Sequence, residues 1–215
     1  SNSLALGTIL TLSATGSEMN PYCVLSNDET EEKLGFGHDL SYPLFSILDP
    51  EYTYSVSKRQ TAAGIADIMS HVLEQYFCPV KNTHVQNRMC EAILHTVIEN
   101  GPIALTNPTN YEARAELMWA SSLALNGMLS CGKIGDWAVH GIEHELSAKY
   151  DLTHGVGLAI LYPAWMSYVL DSENIEKFIE YAINVWNVQI KEDKWSMAKE
   201  GILKTRDFFN SIGLP

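Results

Sequence analysis

The spacing of apolar residues changes near residue 57. Before that point, short apolar runs separated by turn-forming residues predict β-strands over 4–12, 22–25 and 44–48. After it, apolar residues recur every three or four positions, which predicts one amphipathic helix after another. The pattern therefore predicts a mostly α protein, in which an all-helical region follows a short β segment.

Capping and breaking residues predict the helix boundaries. Ser57 and Gln60 have the spacing of a capping box, and Pro79 stops the first helix. Gly101-Pro102 is predicted to end the second helix, and Thr153 is a suitable N-cap for the fifth. We predict seven helices, which start near residues 57, 83, 111, 135, 153, 175 and 194.

The chain divides into two predicted parts, residues 4–56 and 57–215. The first part holds too little sheet to form a layer of its own, so its strands are expected to complete a sheet whose other strands lie elsewhere. The second part is the helical domain. The chain opens on a strand and stops at Gly213-Leu214-Pro215, where a loop would continue, so we expect both ends to belong to a longer protein.

Composition narrows the function classes. A formal net charge of −12 argues against nucleic acid as a partner, because phosphate binding needs clustered Lys and Arg. No apolar run approaches the roughly 20 residues of a membrane span. The chain has no secretory features, and its four cysteines are widely spaced, so they are expected to be reduced and buried. We therefore expect a cytoplasmic protein.

Two pairs of residues suggest a metal site. Asp67 and His71 are four residues apart in a helical segment, so both side chains project from one helix face. His140 and His154 can meet only if the chain turns back, because one straight helix would separate them by roughly 21 Å. The polar residues 149–153 offer that turn. One carboxylate and three imidazoles suit a divalent transition metal.

Ordinary structural roles are open for each of these residues taken alone. A single histidine on a helix is more often a core or surface residue than a ligand, and two-residue motifs are permissive. The combination is stronger, because His140, His144 and His154 fall in an otherwise apolar stretch where an unpartnered imidazole is costly. We predict that the remaining three histidines, His38, His84 and His95, are solvated.

Three long segments also resemble a known family. They are LTLSATGSEMNPYCVLSNDETEEKLGFG, ILDPEYTYSVSKRQTAAGIADIMSHVLEQYF and GDWAVHGIEHELSAKYDLTHGVGLAILYPAWM. Together they closely resemble the group III, iron-containing alcohol dehydrogenases, in the branch of butanol dehydrogenases and broad aldehyde reductases. The resemblance implies a dehydroquinate synthase-like architecture, with a dinucleotide-binding domain before a helical catalytic domain.

The resemblance also implies particular ligands and a reaction. The family's metal ligands match Asp67, His71, His140 and His154, with Fe²⁺ expected and Zn²⁺ possible. The implied reaction interconverts short- to medium-chain primary alcohols and aldehydes with NAD or NADP, in a full-length homodimer.

The resemblance also implies cofactor contacts at residues on this side of the family's cleft, although the same residues can be interpreted as an ordinary strand and turn with an exposed lysine. The matching positions in this chain are Thr11, Thr15, Asn20, Lys33 and Tyr52. The Thr and Asn side chains are suitable donors to a phosphate or carboxamide, and Lys33 suits a phosphate or a ribose. The residues that select NAD or NADP are expected upstream of this chain.

More than one interpretation is open for the role of His144 and for the function of the protein. His144 either supports a ligand and relays a proton, or is a hydrogen-bonded core histidine. A metal-dependent hydrolase on a helical scaffold is the rival enzyme class. We also expect the isolated 215-residue chain to be inactive as a dehydrogenase, and an inactive metal-binding fragment is the third reading.

Overall fold

The computed structural model describes residues 4–215. Within that range it contains two small sheets, two 3-10 helices (Asp39–Ser41 and Pro50–Thr53) and a larger helical part. The strands are β1 (Gly7–Ile9), β2 (Tyr22–Asn27), β3 (Glu32–Gly37) and β4 (Phe45–Ile47). The helices are α1 (Lys58–Tyr76), α2 (His84–Thr106), α3 (Tyr111–Leu125), α4 (Ala138–Tyr150), α5 (His154–Val169), α6 (Ile175–Trp186) and α7 (Lys194–Ser211). The predicted mostly α fold with a preceding β segment is confirmed.

The β segment forms two separate pairs of strands. β1 and β4 run parallel, with Gly7 opposite Phe45 and Ile9 opposite Ile47. β2 and β3 form an antiparallel hairpin, with Tyr22 opposite Gly37 and Asn27 opposite Glu32. The hairpin packs through β3 against α4, so it connects the β segment with the helical part.

Helix α1 lies at the centre of the helical part. Every residue from position 61 to 76 is buried, and α1 packs against α2, α3 and α5. A helix that is covered on all sides can hold polar side chains only where they are paired or serve a site. At its start, Ser57 Oγ accepts a hydrogen bond of 3.3 Å from the Gln60 backbone N–H, as the capping pattern predicts.

A tight reversal between α4 and α5 brings two distant parts of the sequence together. Asp151 follows α4 in the left-handed conformation, at φ 50°, which Asp tolerates better than most residues. Only residues 151–153 separate the two helices, and they pack against each other. The predicted turn is therefore present, and His154 is the first residue of α5.

Several predicted boundaries were wrong. α2 does not end at Gly101-Pro102 but continues to Thr106, because Gly101 and Ala104 are buried and Gly101 lies close against Ile65. α3 ends at Leu125 rather than near 129, and α4 starts at Ala138 rather than 135. Strand β3 was missed. The predicted cap at Thr153 makes no side-chain hydrogen bond.

The cysteines and the helix lengths bear on two further predictions. All four cysteines are free. Cys78 and Cys90 are buried as predicted, but Cys131 is exposed and Cys23 is only half-buried, because both lie in surface segments. Among residues 4–215, no helix combines the length and the apolar character that crossing a membrane would require.

Candidate metal centre

Helix α1 carries the first two predicted ligands on one buried face. Asp67 and His71 are 3 % and 5 % exposed, and His71 Nδ1 lies 3.7 Å from Asp67 Oδ1. Because the two residues are one helical turn apart, their side chains project together toward α4 and α5.

Helices α4 and α5 complete the group. His140 Nε2 lies 4.0 Å and His154 Nε2 lies 3.5 Å from the same oxygen, Asp67 Oδ1. Donor atoms of Asp67, His140 and His154 all lie within 4.8 Å of one another. The ring of His71 stacks on that of His140, with 4.8 Å between centroids. The structure thus brings together the four residues that the sequence spacing selects.

These side chains suit a divalent metal, because three of their polar atoms are buried without a hydrogen-bond partner. The atoms are Asp67 Oδ1, His71 Nδ1 and His140 Nε2. A buried polar atom without a partner is costly, and such atoms seldom occur unless they bind something. One carboxylate oxygen and several imidazole nitrogens also form a donor set that Fe²⁺ and Zn²⁺ accept.

Two buried glutamates, which sequence reasoning missed, accept hydrogen bonds from the Nδ1 atoms of His140 and His154. Glu74 Oε1 accepts from the backbone N–H of His140 at 3.0 Å and from His140 Nδ1 at 3.2 Å. Glu143 Oε2 accepts from His154 Nδ1. Each contact leaves Nε2 of the histidine facing Asp67. The available signal was position, since each glutamate lies three residues after a predicted ligand, in a largely apolar helix.

Burial keeps His71 in the form that a metal needs. Desolvation lowers its pKa from 6.5 to about 4, and the nearby Asp67 carboxylate offsets only part of that shift. Neighbouring His140 and His154 lower the pKa further. His71 is therefore neutral near pH 7, with its nitrogen lone pair available to a cation.

His144 lies one helical turn beyond His140, beside the predicted ligands. Its ring centroid is 5.4 Å from that of His154 and 6.4 Å from that of His140. Burial, followed by the charges of His154 and Lys33, lowers the pKa of His144 to about 4. It is thus a neutral imidazole next to the donor group.

Trp137 forms a wall of the site at the start of α4. It adopts the left-handed conformation, at φ 54°, and its ring centroid lies 5.3 Å from His140 and 6.2 Å from His71. Trp137 also lines a cavity of about 250 Å³, together with Tyr22, Gln75, Leu125, Gly127, Ser130, Lys133, Ile134 and Gly135. Neither this cavity nor a larger one of about 420 Å³ between α5 and α7 is lined by any of the predicted site residues.

The predicted cofactor residues lie in the β segment and in the loops beside it. Thr11, Thr15 and Tyr52 are exposed. Asn20 is buried, and its amide donates to Thr15 O at 2.9 Å and to Gly16 O at 2.7 Å. Lys33 reaches α4, where Nζ donates to Ser147 Oγ at 3.0 Å.

The remaining histidines lie apart from the donor group. His38 and His84 are exposed, as predicted. The prediction for His95 was wrong, because its ring is half-buried and Nε2 donates to Asn184 O at 2.6 Å across the α2–α6 contact.

Comparison with known protein families decides where the chain belongs. Residues 61–215 match the family described as "Fe-containing alcohol dehydrogenase family, C-terminal", and residues 1–50 match "Iron-containing alcohol dehydrogenase". The chain belongs to the iron-containing alcohol dehydrogenase family. The resemblance noted from the sequence is therefore confirmed.

Individual members of this family are similar along the whole chain. NADH-dependent butanol dehydrogenase A of Clostridium acetobutylicum is 57% identical, over 99% of this chain and 54% of the relative. NADPH-dependent aldehyde reductase YqhD of Escherichia coli is 41% identical, over 100% and 55%. The chain thus spans about half the length of the relatives it matches.

Solved structures of family members have the same fold as this chain. A crystal structure of E. coli YqhD superposes with a TM-score of 0.95 at 40% identity, covering 98% of this chain and 54% of that one. NADH-dependent butanol dehydrogenase A of Thermotoga maritima gives a TM-score of 0.94 at 37% identity, covering 99% and 53%. The fold of this chain is that of the family's members.

Proposed function

We propose that the protein containing this chain is a metal-dependent dehydrogenase that interconverts short- to medium-chain primary alcohols and aldehydes with NAD(P)(H). The observation that carries the proposal is the convergence of Asp67, His71, His140 and His154, with unpartnered buried atoms on three of them. The names of the similar proteins, butanol dehydrogenases and an aldehyde reductase, support the reaction and the cofactor. Free cysteines support a cytoplasmic location, and by family resemblance we also propose a homodimer.

The proposed metal ligands are Asp67, His71, His140 and His154, with Fe²⁺ as the resident ion and Zn²⁺ as the second candidate. When bound, such an ion acts as a Lewis acid on the substrate oxygen, while the nicotinamide carries the hydride. Asp67 supplies one negative charge to the site, and Glu74 fixes the direction of His140 Nε2.

The surrounding side chains suit a small substrate and a proton transfer. Trp137 lies beside the rings of His71 and His140 on one side of the site. The cavity of about 250 Å³ that Trp137 also lines is the space we propose for the short alkyl chain of the substrate. In the proposed reaction a ring nitrogen of neutral His144 accepts the hydroxyl proton in alcohol oxidation, and the imidazolium formed in this way donates a proton in aldehyde reduction.

The proposed cofactor side consists of Thr11, Thr15, Asn20, Lys33 and Tyr52. The exposed Thr11, Thr15 and Tyr52 are free to reach a nucleotide. Both amide hydrogens of Asn20 are used within its own loop, so we assign Asn20 to the shape of that loop. Lys33 has a further partner in Ser147, which links the cofactor side to α4.

Metal binding by two matched histidine variants tests the proposal. Wild-type protein is expected to bind one Fe²⁺ or Zn²⁺ per chain in a competition titration with a chelator. His140→Ala is expected to lose most of that affinity, whereas His84→Ala, at an exposed position, is expected to keep it. Unchanged stoichiometric binding by His140→Ala would contradict the ligand assignment.

Activity of the full-length protein tests the reaction. We expect it to reduce butanal with NADH or NADPH, and the metal-free protein to be inactive until Fe²⁺ or Zn²⁺ is restored. Full turnover in the presence of excess chelator, after metal content has been shown to be negligible, would refute metal dependence.

A further inference from the structure

The side chain of Glu143 occupies a space that exists only because residue 157 is glycine. A Cβ atom at Gly157 would lie 2.8 Å from both Cγ and Oε1 of Glu143. Both distances are below what real Cβ atoms show, so any larger residue would push the carboxylate away. The glycine in the first turn of α5 therefore keeps Glu143 close to the start of that helix.

The Glu143 carboxylate has three polar partners. Its side chain is completely buried. Oε1 accepts from Ser147 Oγ at 2.6 Å, Oε2 accepts from His154 Nδ1, and Lys33 Nζ lies 3.9 Å from Oε2. Lys33 also donates to Ser147 Oγ. A buried carboxylate is tolerated when it is paired and hydrogen-bonded in this way.

His154 needs such support more than the other predicted ligands do. Its side chain is 27% exposed, against 11% for His140 and 6% for His71. It is also the first residue of α5, after a turn whose Thr153 provides no side-chain cap. Packing therefore constrains the ring of His154 less than the rings of His140 and His71, and its Nδ1 bond to Glu143 is an additional constraint.

We propose that Glu143 is a positioning residue, which Ser147 and Gly157 hold in place and which fixes the ring of His154 for metal binding. The inference rests on the metal site of the proposed function. Glu143 thereby has the same role toward His154 as Glu74 has toward His140. Each of the two histidines outside α1 donates its Nδ1–H to one buried carboxylate.

One alternative role for Glu143 is open to the same experiment. Donor atoms of Glu143, His144 and His154 lie within 4.8 Å of one another and could hold a second cation. We favour positioning, because His154 Nδ1 already donates to Glu143 and a neutral imidazole cannot offer that nitrogen to a metal at the same time.

Metal titration of Glu143 variants tests the inference. Glu143→Gln keeps the size and an acceptor oxygen, Glu143→Ala removes both, and Glu145→Gln is a matched control on the exposed side of α4. We expect Glu143→Ala to weaken Zn²⁺ binding by about 10–100-fold, Glu143→Gln to weaken it less, and Glu145→Gln to leave it unchanged. Ser147→Ala is expected to weaken binding in the same direction as Glu143→Gln.

Two further readouts separate positioning from stability. The stoichiometry is expected to stay at one ion per chain in each variant, and the visible spectrum of bound Co²⁺, which reports coordination geometry, is expected to change in Glu143→Gln and not in Glu145→Gln. If Glu143→Ala does not fold, Glu143→Gln decides the matter, because its shape is that of the native residue.

The outcomes distinguish this inference from the proposed function. If wild-type protein binds no divalent ion, the metal site itself fails. If wild-type protein binds one ion, and both Glu143 variants bind it with native affinity and an unchanged Co²⁺ spectrum, the positioning role is overturned while the site stands. Two ions per chain, with one lost in Glu143→Ala, would make Glu143 a ligand and would also overturn the inference.

Discussion

Replacing Gly155 with alanine is expected to separate two helices that carry metal ligands. A Cβ atom at Gly155 would lie 2.0 Å from Ala63 O, 2.6 Å from Ala63 C and 2.9 Å from Ala63 Cα. All three atoms belong to the backbone of α1, which cannot rotate aside as a side chain does. Relief of the contact therefore requires α1 and α5 to move apart by more than about 1 Å.

The cost of that movement can be bounded. Overpacked core substitutions cost about 1–3 kcal/mol, and a clash with a buried backbone belongs at the upper end. For a chain of this length, about 3 kcal/mol corresponds to a fall in melting temperature of roughly 6–12 °C. The same movement draws His154 away from Asp67, so Zn²⁺ affinity is expected to fall as well.

Urea unfolding of the metal-free chain, followed by circular dichroism, measures the effect. Gly141→Ala is the control, because nothing lies within 4 Å of a Cβ atom at that helical position. Its expected effect is a gain of about 0.5–1 kcal/mol, from the better helix propensity of alanine. A Gly155→Ala protein that unfolds at the native midpoint, while Gly141→Ala is stabilised, would refute the reasoning.

Three further predictions concern His71, His144 and Lys133. Because burial lowers the pKa of His71 to about 4, the folded metal-free chain resists protonation that the unfolded chain accepts near pH 6.5. Stability is therefore expected to fall as pH drops from about 6.5 to 4, by up to roughly 3 kcal/mol, and His71→Asn should flatten that slope in urea titrations. His144→Ala in the full-length protein is expected to lower turnover about 100-fold with metal content intact, and a native rate with an unchanged pH profile would make His144 structural. Lys133→Met removes the partner of two buried acceptors and should cost about 1–3 kcal/mol in urea unfolding, whereas Lys149→Met on the surface should change stability by less than about 0.5 kcal/mol.

The helices could be predicted because their signals are local. The apolar spacing of α1 and the capping pattern at Ser57 need only neighbouring residues to be interpreted. Pro102 shows the limit of that approach. Proline normally ends a helix, but α2 continues through it because Gly101 and Ala104 are buried in contacts with distant residues.

Strand β3 was missed because its signal, like that of the end of α2, lies in contacts with distant residues. Gly35 and Gly37 indicate a turn when only the local sequence is considered. In the hairpin, a Cβ atom at Gly37 would lie 2.5 Å from the ring of Tyr22 on the opposite strand. The glycine is therefore explained by a cross-strand aromatic ring, which the local sequence does not reveal.

Some residues of the candidate site could be predicted from the local sequence, and others could not. Asp67, His71, His140 and His154 could be selected by spacing and by their apolar surroundings. Glu74 and Glu143 were not selected, because a glutamate on a helix is ordinarily solvated and a position three residues after a predicted ligand is only a weak signal. Their roles emerge only when α1, α4 and α5 are brought together, so that each carboxylate meets a histidine of another segment.

The wide separation of the donors along the chain has a kinetic consequence. Positions 67 and 154 come together only when α1 packs on α5 and the chain reverses after α4, so we expect the complete donor set to form late in folding. A bound ion is then expected to stabilise contacts that the folding transition state lacks. Metal is therefore expected to slow unfolding strongly while leaving the refolding rate nearly unchanged. The metal-bound protein would then gain kinetic stability without folding faster.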